Sequence, residues 1–118
     1  PLARKYHPQL VLISAGYDGH FNDPLCSMLL KATTYAEMAA RLKSLAEEAC
    51  EGRMMAVLEG GYDLEGIARS ITNTIAVLAG EDTRVEDEGV IGGGMPTSAR
   101  GMEIVEATRR AISPFWKI

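Results

Sequence analysis

The chain has 118 residues, of which 47% are apolar and 24% are charged, a composition typical of globular domains and unlike that of disordered or fibrous chains. Twelve basic and sixteen acidic side chains give a net charge of -4, and no basic stripe is available to neutralise phosphates, which argues against nucleic-acid binding. No apolar stretch approaches the roughly 20 residues that span a bilayer, and no signal segment opens the chain, so we expect a cytoplasmic protein without a membrane partner.

The first predicted elements are a strand and a long helix. Leu10 to Ile13 form a continuous apolar run, which is typical of a strand buried on both faces of a parallel sheet. Thr34 followed three residues later by Glu37 has the spacing of a capping box. Apolar residues then recur at helical spacing, which predicts an amphipathic helix from Tyr35 to Cys50.

A second strand and a second helix follow. Met54 to Leu58 is an apolar run too short for a helix, and Gly60-Gly61 interrupts it. Asp63 can cap a helix that runs through Leu78, with Gly80 beyond its end. The order strand, helix, strand, helix predicts parallel strands whose carboxyl ends meet at one edge of the sheet, where such sheets bind ligands.

The C-terminal part changes character. Residues 81–101 combine the acidic run Glu86-Asp87-Glu88 with several glycines, which predicts an exposed loop whose acidic side chains are solvated. A final helix is predicted from Met102 to Ile112, ended by Ser113-Pro114. Residues 102–118 are therefore interpreted as a C-terminal helix and tail.

Two loops at the predicted ligand edge carry side chains suited to chemistry. Asp18 and His20 follow the first strand, and Tyr62 follows the second strand behind Gly60 and Gly61. Paired glycines permit backbone angles and close approaches that a Cβ would forbid. Taken singly, Asp18 could cap a turn, His20 could be a solvated loop residue, and Tyr62 could pack over a helix start.

The two loops also match a known family. The first loop reads Ser14-Ala15-Gly16-Tyr17-Asp18, with Asp23-Pro24-Leu25 downstream, and the second reads Leu58-Glu59-Gly60-Gly61-Tyr62 and opens a helix. In this order, separated by a helix and a strand, they resemble the C-terminal signature loops of the zinc-dependent deacetylases, the superfamily of histone deacetylases, acetylpolyamine amidohydrolases and acetoin utilization proteins. The resemblance implies a three-layer α/β/α fold with a parallel sheet, of the arginase/deacetylase type. The chain would hold a β-α-β-α part of that fold plus a C-terminal helix.

The resemblance also implies roles for individual residues. Asp18 would be one of the ligands of a catalytic Zn²⁺, and Tyr62 would hydrogen-bond the substrate carbonyl and stabilise the tetrahedral oxyanion. Gly60 and Gly61 would form part of the substrate-channel wall. The implied substrate is an acetylated amine such as acetyl-lysine or an acetylpolyamine.

Several parts of the family's active site are missing from the sequence. The other two zinc ligands, an Asp-x-His motif, and an adjacent pair of histidines are absent, since the chain's two histidines are His7 and His20. The chain also starts at Pro1, and we expect it to be a piece of a longer enzyme. Asp18-Gly19-His20 has Asp-x-His spacing, which makes His20 a second candidate ligand, but its flanks match the later loop and favour a rim or surface role.

Two alternatives stay open at this point. The chain could act by itself as a truncated, non-catalytic structural module that self-associates through an open sheet edge. A ureohydrolase of the arginase fold also places aspartates after a strand, but it needs a further carboxylate at the position of His20.

Overall fold

The computed structural model of the protein describes residues 1–82, 84–88 and 99–117. The chain divides into a larger unit, Pro8–Glu88, and a smaller one that combines Pro1–His7 with Gly89–Ile118. The secondary structure elements, in chain order, are α1 (Leu2–Tyr6), β1 (Val11–Gly16), α2 (Ala32–Cys50), β2 (Met54–Gly60), α3 (Leu64–Ala79) and α4 (Ala99–Trp116).

The two strands of the larger unit pair in parallel, as the order of elements predicted. Val11 lies opposite Met54 at one end, and Gly16 lies opposite Gly60 at the other. A register shift between Ala15 and Gly16 leaves Glu59 as an extra residue in β2, which is the pattern of a β-bulge. Both strands therefore end at the same edge of the sheet, immediately before the two loops singled out in the sequence.

Helix α2 begins earlier than its sequence predicted. Its first residue is Ala32 rather than Tyr35, and Thr34 lies inside the first turn, where its hydroxyl accepts a hydrogen bond from the Lys31 N–H at 3.3 Å. The predicted capping box of Thr34 with Glu37 is therefore wrong. The physical reason lies outside the helix, because the carboxylate of Asp87 accepts a hydrogen bond from the Ala32 N–H at 2.9 Å and satisfies a helical donor that would otherwise be free.

Helix α3 agrees with its prediction at both ends. The Asp63 carboxylate accepts a hydrogen bond from the Gly66 N–H at 2.7 Å and caps the helix. Gly80 ends the helix in the left-handed conformation, with φ +84. This conformation is least unfavourable for glycine, because glycine has no Cβ.

The core of the larger unit is small and lies between the helices and the start of the sheet. Helices α2 and α3 pack through Ala36, Ala39 and Val77, and a second cluster joins Val11, Ala46 and Cys50. The prediction that the strands are buried on both faces is wrong for this chain: Leu12, Met55 and Leu58 are each more than half exposed. The described residues form a sheet of two strands, and the packed helices leave these side chains on its faces uncovered.

In the smaller unit, helix α4 is longer than predicted. It begins at Ala99, inside the segment expected to be loop, and includes Pro114, which was expected to end it. Pro114 lies in the last turn, where its missing N–H leaves one helical hydrogen bond unmade, and the Lys117 N–H donates to Ser113 O at 2.8 Å. The rings of Tyr6 and Trp116 lie 6.3 Å apart in this unit. Residues 89–98 of the predicted loop lie outside the described residues.

Candidate active site

The site is formed by two loops at the carboxyl edge of the sheet. We call residues 17–25, which follow β1, the aspartate loop, and residues 59–63, at the end of β2, the tyrosine loop. The Tyr17 N–H donates a hydrogen bond to Gly60 O at 2.7 Å, so the loops begin side by side. The predicted meeting of the two signature motifs at one edge is confirmed.

The glycines of the tyrosine loop make this approach possible. Gly60 has φ +124, a conformation that L side chains rarely adopt. At Gly61, a Cβ would lie 3.2 Å from the Asp18 backbone nitrogen and 3.0 Å from Ile67 Cγ1. A side chain at position 61 would push the loops apart, so the paired glycines determine the spacing between Asp18 and the tyrosine loop.

Asp18 stands at the surface of the aspartate loop. The His20 N–H donates to Tyr17 O at 3.1 Å, so these four residues form a turn rather than an extended segment. Asp18 Oδ1 lies 3.1 Å from the position of a Cβ on Gly16, and the residue as a whole is exposed. An exposed carboxylate at a strand end is a suitable oxygen ligand for a zinc ion.

The described residues fit only part of a metal centre. In the part of the chain that the structure describes, no group of three or more histidine, cysteine, aspartate or glutamate side chains is arranged to hold a metal ion. Asp18 can thus supply a single ligand, and a complete zinc site needs donors in addition to those described.

The side chain of Tyr62 is exposed to solvent, whereas its backbone is held by a hydrogen bond. Its side chain is 65% exposed, so it does not pack over the start of α3, as one interpretation of the sequence allowed. Its N–H donates to Asp23 Oδ2 at 2.8 Å, and the next residue, Asp63, caps α3. The phenol is therefore accessible, while the main chain that carries it is held on both sides.

Asp23 is a buried carboxylate that connects the loops. Only 6% of its surface is exposed, and it accepts hydrogen bonds from the N–H groups of Leu25 at 2.9 Å and Tyr62 at 2.8 Å. Burial by itself raises the pKa of Asp23, but hydrogen bonds from backbone N–H groups outweigh it and hold the pKa below the usual value for an aspartate. Sequence reasoning noticed this residue only as part of a motif. The Asp-Pro pair predicts a local turn but gives no sign of the partner 39 residues away.

His20 is buried, which corrects the expected rim or surface role. Only 2% of its surface is exposed, and its Nε2 lies 2.9 Å from Asp87 Oδ1. The Asn22 N–H lies 3.3 Å from Nδ1 and donates to it, which makes Nε2 the protonated nitrogen that donates to Asp87. Because the turn at residues 17–20 buries His20 and exposes Asp18, the shared metal site that their spacing allowed receives no support from the geometry.

The acidic run near residue 87 is not a uniformly solvated face. The Asp87 side chain is 6% exposed and its two oxygens contact His20 and the Ala32 N–H. The buried amide of Asn73 pairs with both backbone groups of Val85, at 2.7 and 2.9 Å. Residues 84–88 thus cover one side of the aspartate loop, whereas Glu86 and Glu88 remain exposed as predicted.

Tyr35 lies beneath the aspartate loop. Its ring centroid is 5.0 Å from that of Tyr17, and its hydroxyl is buried without a hydrogen-bond partner among the described residues. Burial, with a further contribution from the negative charge of Asp18, raises the pKa of Tyr35 to about 12.

Solved structures share this arrangement. The crystal structure of the HDA15 HD domain superposes on 99% of this chain and 30% of that chain, with a TM-score of 0.76 and 31% sequence identity. The structure of the histone deacetylase Clr3 superposes on 98% of this chain and 18% of that chain, with a TM-score of 0.80 and 23% identity, and supports the fold alone. The chain is therefore a portion of an α/β domain with the arginase/deacetylase fold, which confirms the fold class that the two motifs implied.

Sequence comparison gives the family. The model of the histone deacetylase domain matches residues 1–78, and the chain belongs to the histone deacetylase family. It is 50% identical over 84 residues to a probable deacetylase of Archaeoglobus fulgidus, covering 70% of this chain and 23% of that protein. It is 36% identical over 117 residues to the polyamine deacetylase HDAC10 of Homo sapiens, covering 99% of this chain and 16% of that protein.

The match covers only part of each relative. The chain spans about a fifth of the length of these curated relatives, a share that is 20% for histone deacetylase 14, chloroplastic, of Arabidopsis thaliana. Among the helices that the structure describes, none combines the length and the apolar character needed to pass through a membrane.

Proposed function

We propose that the chain supplies the C-terminal wall of the active site of a zinc-dependent deacetylase, which hydrolyses the acetyl amide of an acetylated amine. The observation that carries this proposal is the pairing of the two loops, which brings Asp18 and Tyr62 to one edge of a parallel sheet. Both side chains are exposed there, while the backbone between them is fixed by the Tyr17–Gly60 and Asp23–Tyr62 hydrogen bonds.

Asp18 would hold the zinc ion together with ligands from elsewhere in the protein. A zinc ion in such a site lowers the pKa of a bound water to about 7 and polarises the substrate carbonyl. The exposed carboxylate of Asp18 suits this role because the turn at residues 17–20 presents it to solvent. The described residues contain no group of three or more histidine, cysteine, aspartate or glutamate side chains that could hold a metal ion, so further ligands would have to come from elsewhere in the protein.

Tyr62 would donate a hydrogen bond to the carbonyl oxygen of the acetyl group. As the carbonyl carbon becomes tetrahedral, negative charge collects on that oxygen, and a donor held in place stabilises it. Removing one such donor typically costs about 3 kcal/mol of transition-state stabilisation. Gly60 and Gly61 would line the channel beside Tyr62, where the lack of side chains leaves room for the substrate.

The proposed substrate class is based on the names of the similar proteins and not on contacts of the described residues. Proteins named histone deacetylases and polyamine deacetylases are both similar to this chain. We propose acetyl-lysine or an acetylpolyamine as the substrate. The negative charge of the exposed side chains of Glu86 and Glu88 would favour a cationic amine.

A second candidate function has one observation in its favour. Met55, Val57 and Leu58 of β2 are all exposed, and an uncovered apolar strand can pair with another chain. The 118 residues by themselves would then form a self-associating module without catalytic activity. Within a complete deacetylase domain, further strands would pair with this edge and helices would cover the exposed face.

The test compares hydrolysis of acetyl-lysine and acetylpolyamine by the 118-residue chain and by the longest natural form of the protein, each with zinc and with a chelator. Activity in the longer form alone, lost with chelator, supports the proposal. No activity in either form, together with dimers or larger species in sedimentation, would favour the module. Asp18→Asn should lower the zinc content of the longer form, whereas Asp82→Asn, at an exposed position after α3, should leave it unchanged.

A further inference from the structure

The tyrosine loop is held at its end by the Asp63 cap of α3, but the glycines before Tyr62 leave it in need of a further restraint. Two consecutive glycines precede Tyr62, and Gly60 adopts φ +124. Glycine loses more conformational freedom on ordering than any other residue, and the Tyr62 ring, being mostly exposed, is not held by packing. The position of the phenol must therefore be set through the backbone at residue 62.

The contact that restrains this backbone comes from the other loop. Asp23 Oδ2 accepts a hydrogen bond from the Tyr62 N–H at 2.8 Å, and Oδ1 accepts one from the Leu25 N–H at 2.9 Å. The Asp23 N–H donates in turn to His20 O at 2.9 Å. The carboxylate is thus anchored within the aspartate loop and reaches out to the tyrosine loop through a single oxygen.

The chemistry of the acceptor suits a permanent restraint. Because backbone N–H groups hold the pKa of Asp23 below its usual value, the carboxylate remains charged at any pH near neutrality. A hydrogen bond to a charged acceptor is roughly twice as strong as one between neutral groups. A carboxylate also accepts at both oxygens, which an amide cannot do.

We propose that Asp23 is a positioning residue of the deacetylase site, which sets Tyr62 at hydrogen-bonding distance from the substrate carbonyl by fixing the backbone of the tyrosine loop. This role rests on the proposed function of Tyr62 as the oxyanion donor. Asp23 itself touches neither substrate nor metal in this account. Its effect on the reaction passes entirely through Tyr62.

The variant that tests this role is Asp23→Asn in the longest natural form of the protein with zinc bound. The asparagine keeps the size of the side chain but has one acceptor oxygen, so its NH₂ group faces one of the two backbone N–H groups and a hydrogen bond is lost. Small displacements of a catalytic group can lower rates by about a hundredfold. We expect kcat to fall about tenfold to a hundredfold, with the KM for acetyl-lysine and the zinc content nearly unchanged, and Asp82→Asn to have no effect.

A double-mutant cycle with Tyr62→Phe separates positioning from a merely structural role. If Asp23 acts through Tyr62, adding Asp23→Asn to Tyr62→Phe should lower kcat little further, because the hydroxyl that it positions has already been removed. Equal losses of kcat in both backgrounds would overturn the inference while leaving the proposed function intact. A Tyr62→Phe variant with wild-type kcat would instead overturn the proposed function.

A measurement on the wild-type protein tests the same hydrogen bond even if the Asp23→Asn variant does not fold. The amide proton shifts of Tyr62 and Leu25, followed by NMR as the pH is lowered, should titrate together with one midpoint, since both protons are donated to the same carboxylate. A Tyr62 amide that does not follow the Leu25 amide would contradict the hydrogen bond on which the inference depends.

Discussion

His20 Nε2 lies 2.9 Å from Asp87 Oδ1, and the second oxygen of the same carboxylate accepts a hydrogen bond from the Ala32 N–H at 2.9 Å. One buried aspartate therefore ties the segment after α3 both to the aspartate loop and to the first turn of α2. Asp87 is 67 residues from His20 and 55 residues from Ala32 in the sequence. Without its carboxylate, the ring N–H of His20 and the backbone N–H of Ala32 would each lack a hydrogen-bond acceptor.

The first prediction concerns removal of this carboxylate. Asp87→Ala deprives α2 of its cap, which is worth about 1 kcal/mol, and leaves the buried His20 donor unpaired, which costs about 1 to 3 kcal/mol. We expect the free energy of unfolding, measured by urea denaturation, to fall by about 2 to 4 kcal/mol. Glu86→Ala, at an exposed neighbouring position, is the matched control and should change it little. Equal stability of the two variants would show that Asp87 is not part of the buried network.

The second prediction concerns Gly66, in the first turn of α3. A Cβ there would lie 2.5 Å from His20 Nδ1 and 2.7 Å from Asp63 Oδ2, and His20 cannot move away because Asp87 holds it. Alanine is favoured over glycine in helices by about 1 kcal/mol, but overpacking costs about 1 to 3 kcal/mol. We expect Gly66→Ala to lower the free energy of unfolding by up to about 2 kcal/mol.

The control for Gly66 is Thr72→Ala, at an exposed position of the same helix. It raises helix propensity without a new contact and should leave stability unchanged or slightly higher in the same urea experiment. If Gly66→Ala were also stabilising, the close packing of His20 against α3 would be wrong.

The third prediction concerns alkaline pH. The pKa of Tyr35 is raised to about 12 in the folded protein, against about 10 in an unfolded chain. Between these values the unfolded state releases a proton that the folded state keeps, so the free energy of unfolding falls as pH rises from 10 to 12.

Spectroscopy can follow this titration directly. Of the four tyrosines, one should show phenolate absorbance only near pH 12, and Tyr35→Phe should abolish that late step and weaken the alkaline loss of stability. Because the Tyr35 hydroxyl is buried without a partner among the described residues, this variant should be no less stable than wild type at neutral pH. Tyr6→Phe, at an exposed tyrosine, should retain the late step.

Local patterns in the sequence predicted most of the fold of the larger unit. The apolar run before Ser14, the Asp63 cap and the glycine at position 80 each act through neighbours within a few residues, so both strands and α3 were predicted, although β1 continues to Gly16 and β2 to Gly60. The start of α2 was misplaced because its cap, Asp87, comes from 55 residues further along the chain. The prediction that Pro114 ends α4 is wrong by two residues, since the helix continues to Trp116.

The site was predictable to the extent that it depends on motifs. The resemblance placed Asp18 and Tyr62 in adjacent loops, and the structure agrees. It did not predict the hydrogen bond between Asp23 and Tyr62 or the burial of His20. Both depend on which tertiary contacts satisfy a polar side chain. The exposure of the strand side chains was also not predicted. An apolar run indicates that a strand favours a buried environment, but it does not show how much of the surrounding domain this chain contains.

The measurement that tests the central claim most directly is the kcat of Tyr62→Phe for acetyl-lysine and acetylpolyamine, in the longest natural form of the protein with zinc bound. The ring is mostly exposed, so the variant should fold and bind zinc like wild type, as should the control Tyr6→Phe. We predict that kcat falls on the order of 10²- to 10³-fold, the loss expected for one oxyanion donor. A kcat within roughly twofold of wild type, well below that loss, would contradict the assignment of Tyr62 and with it the proposed site.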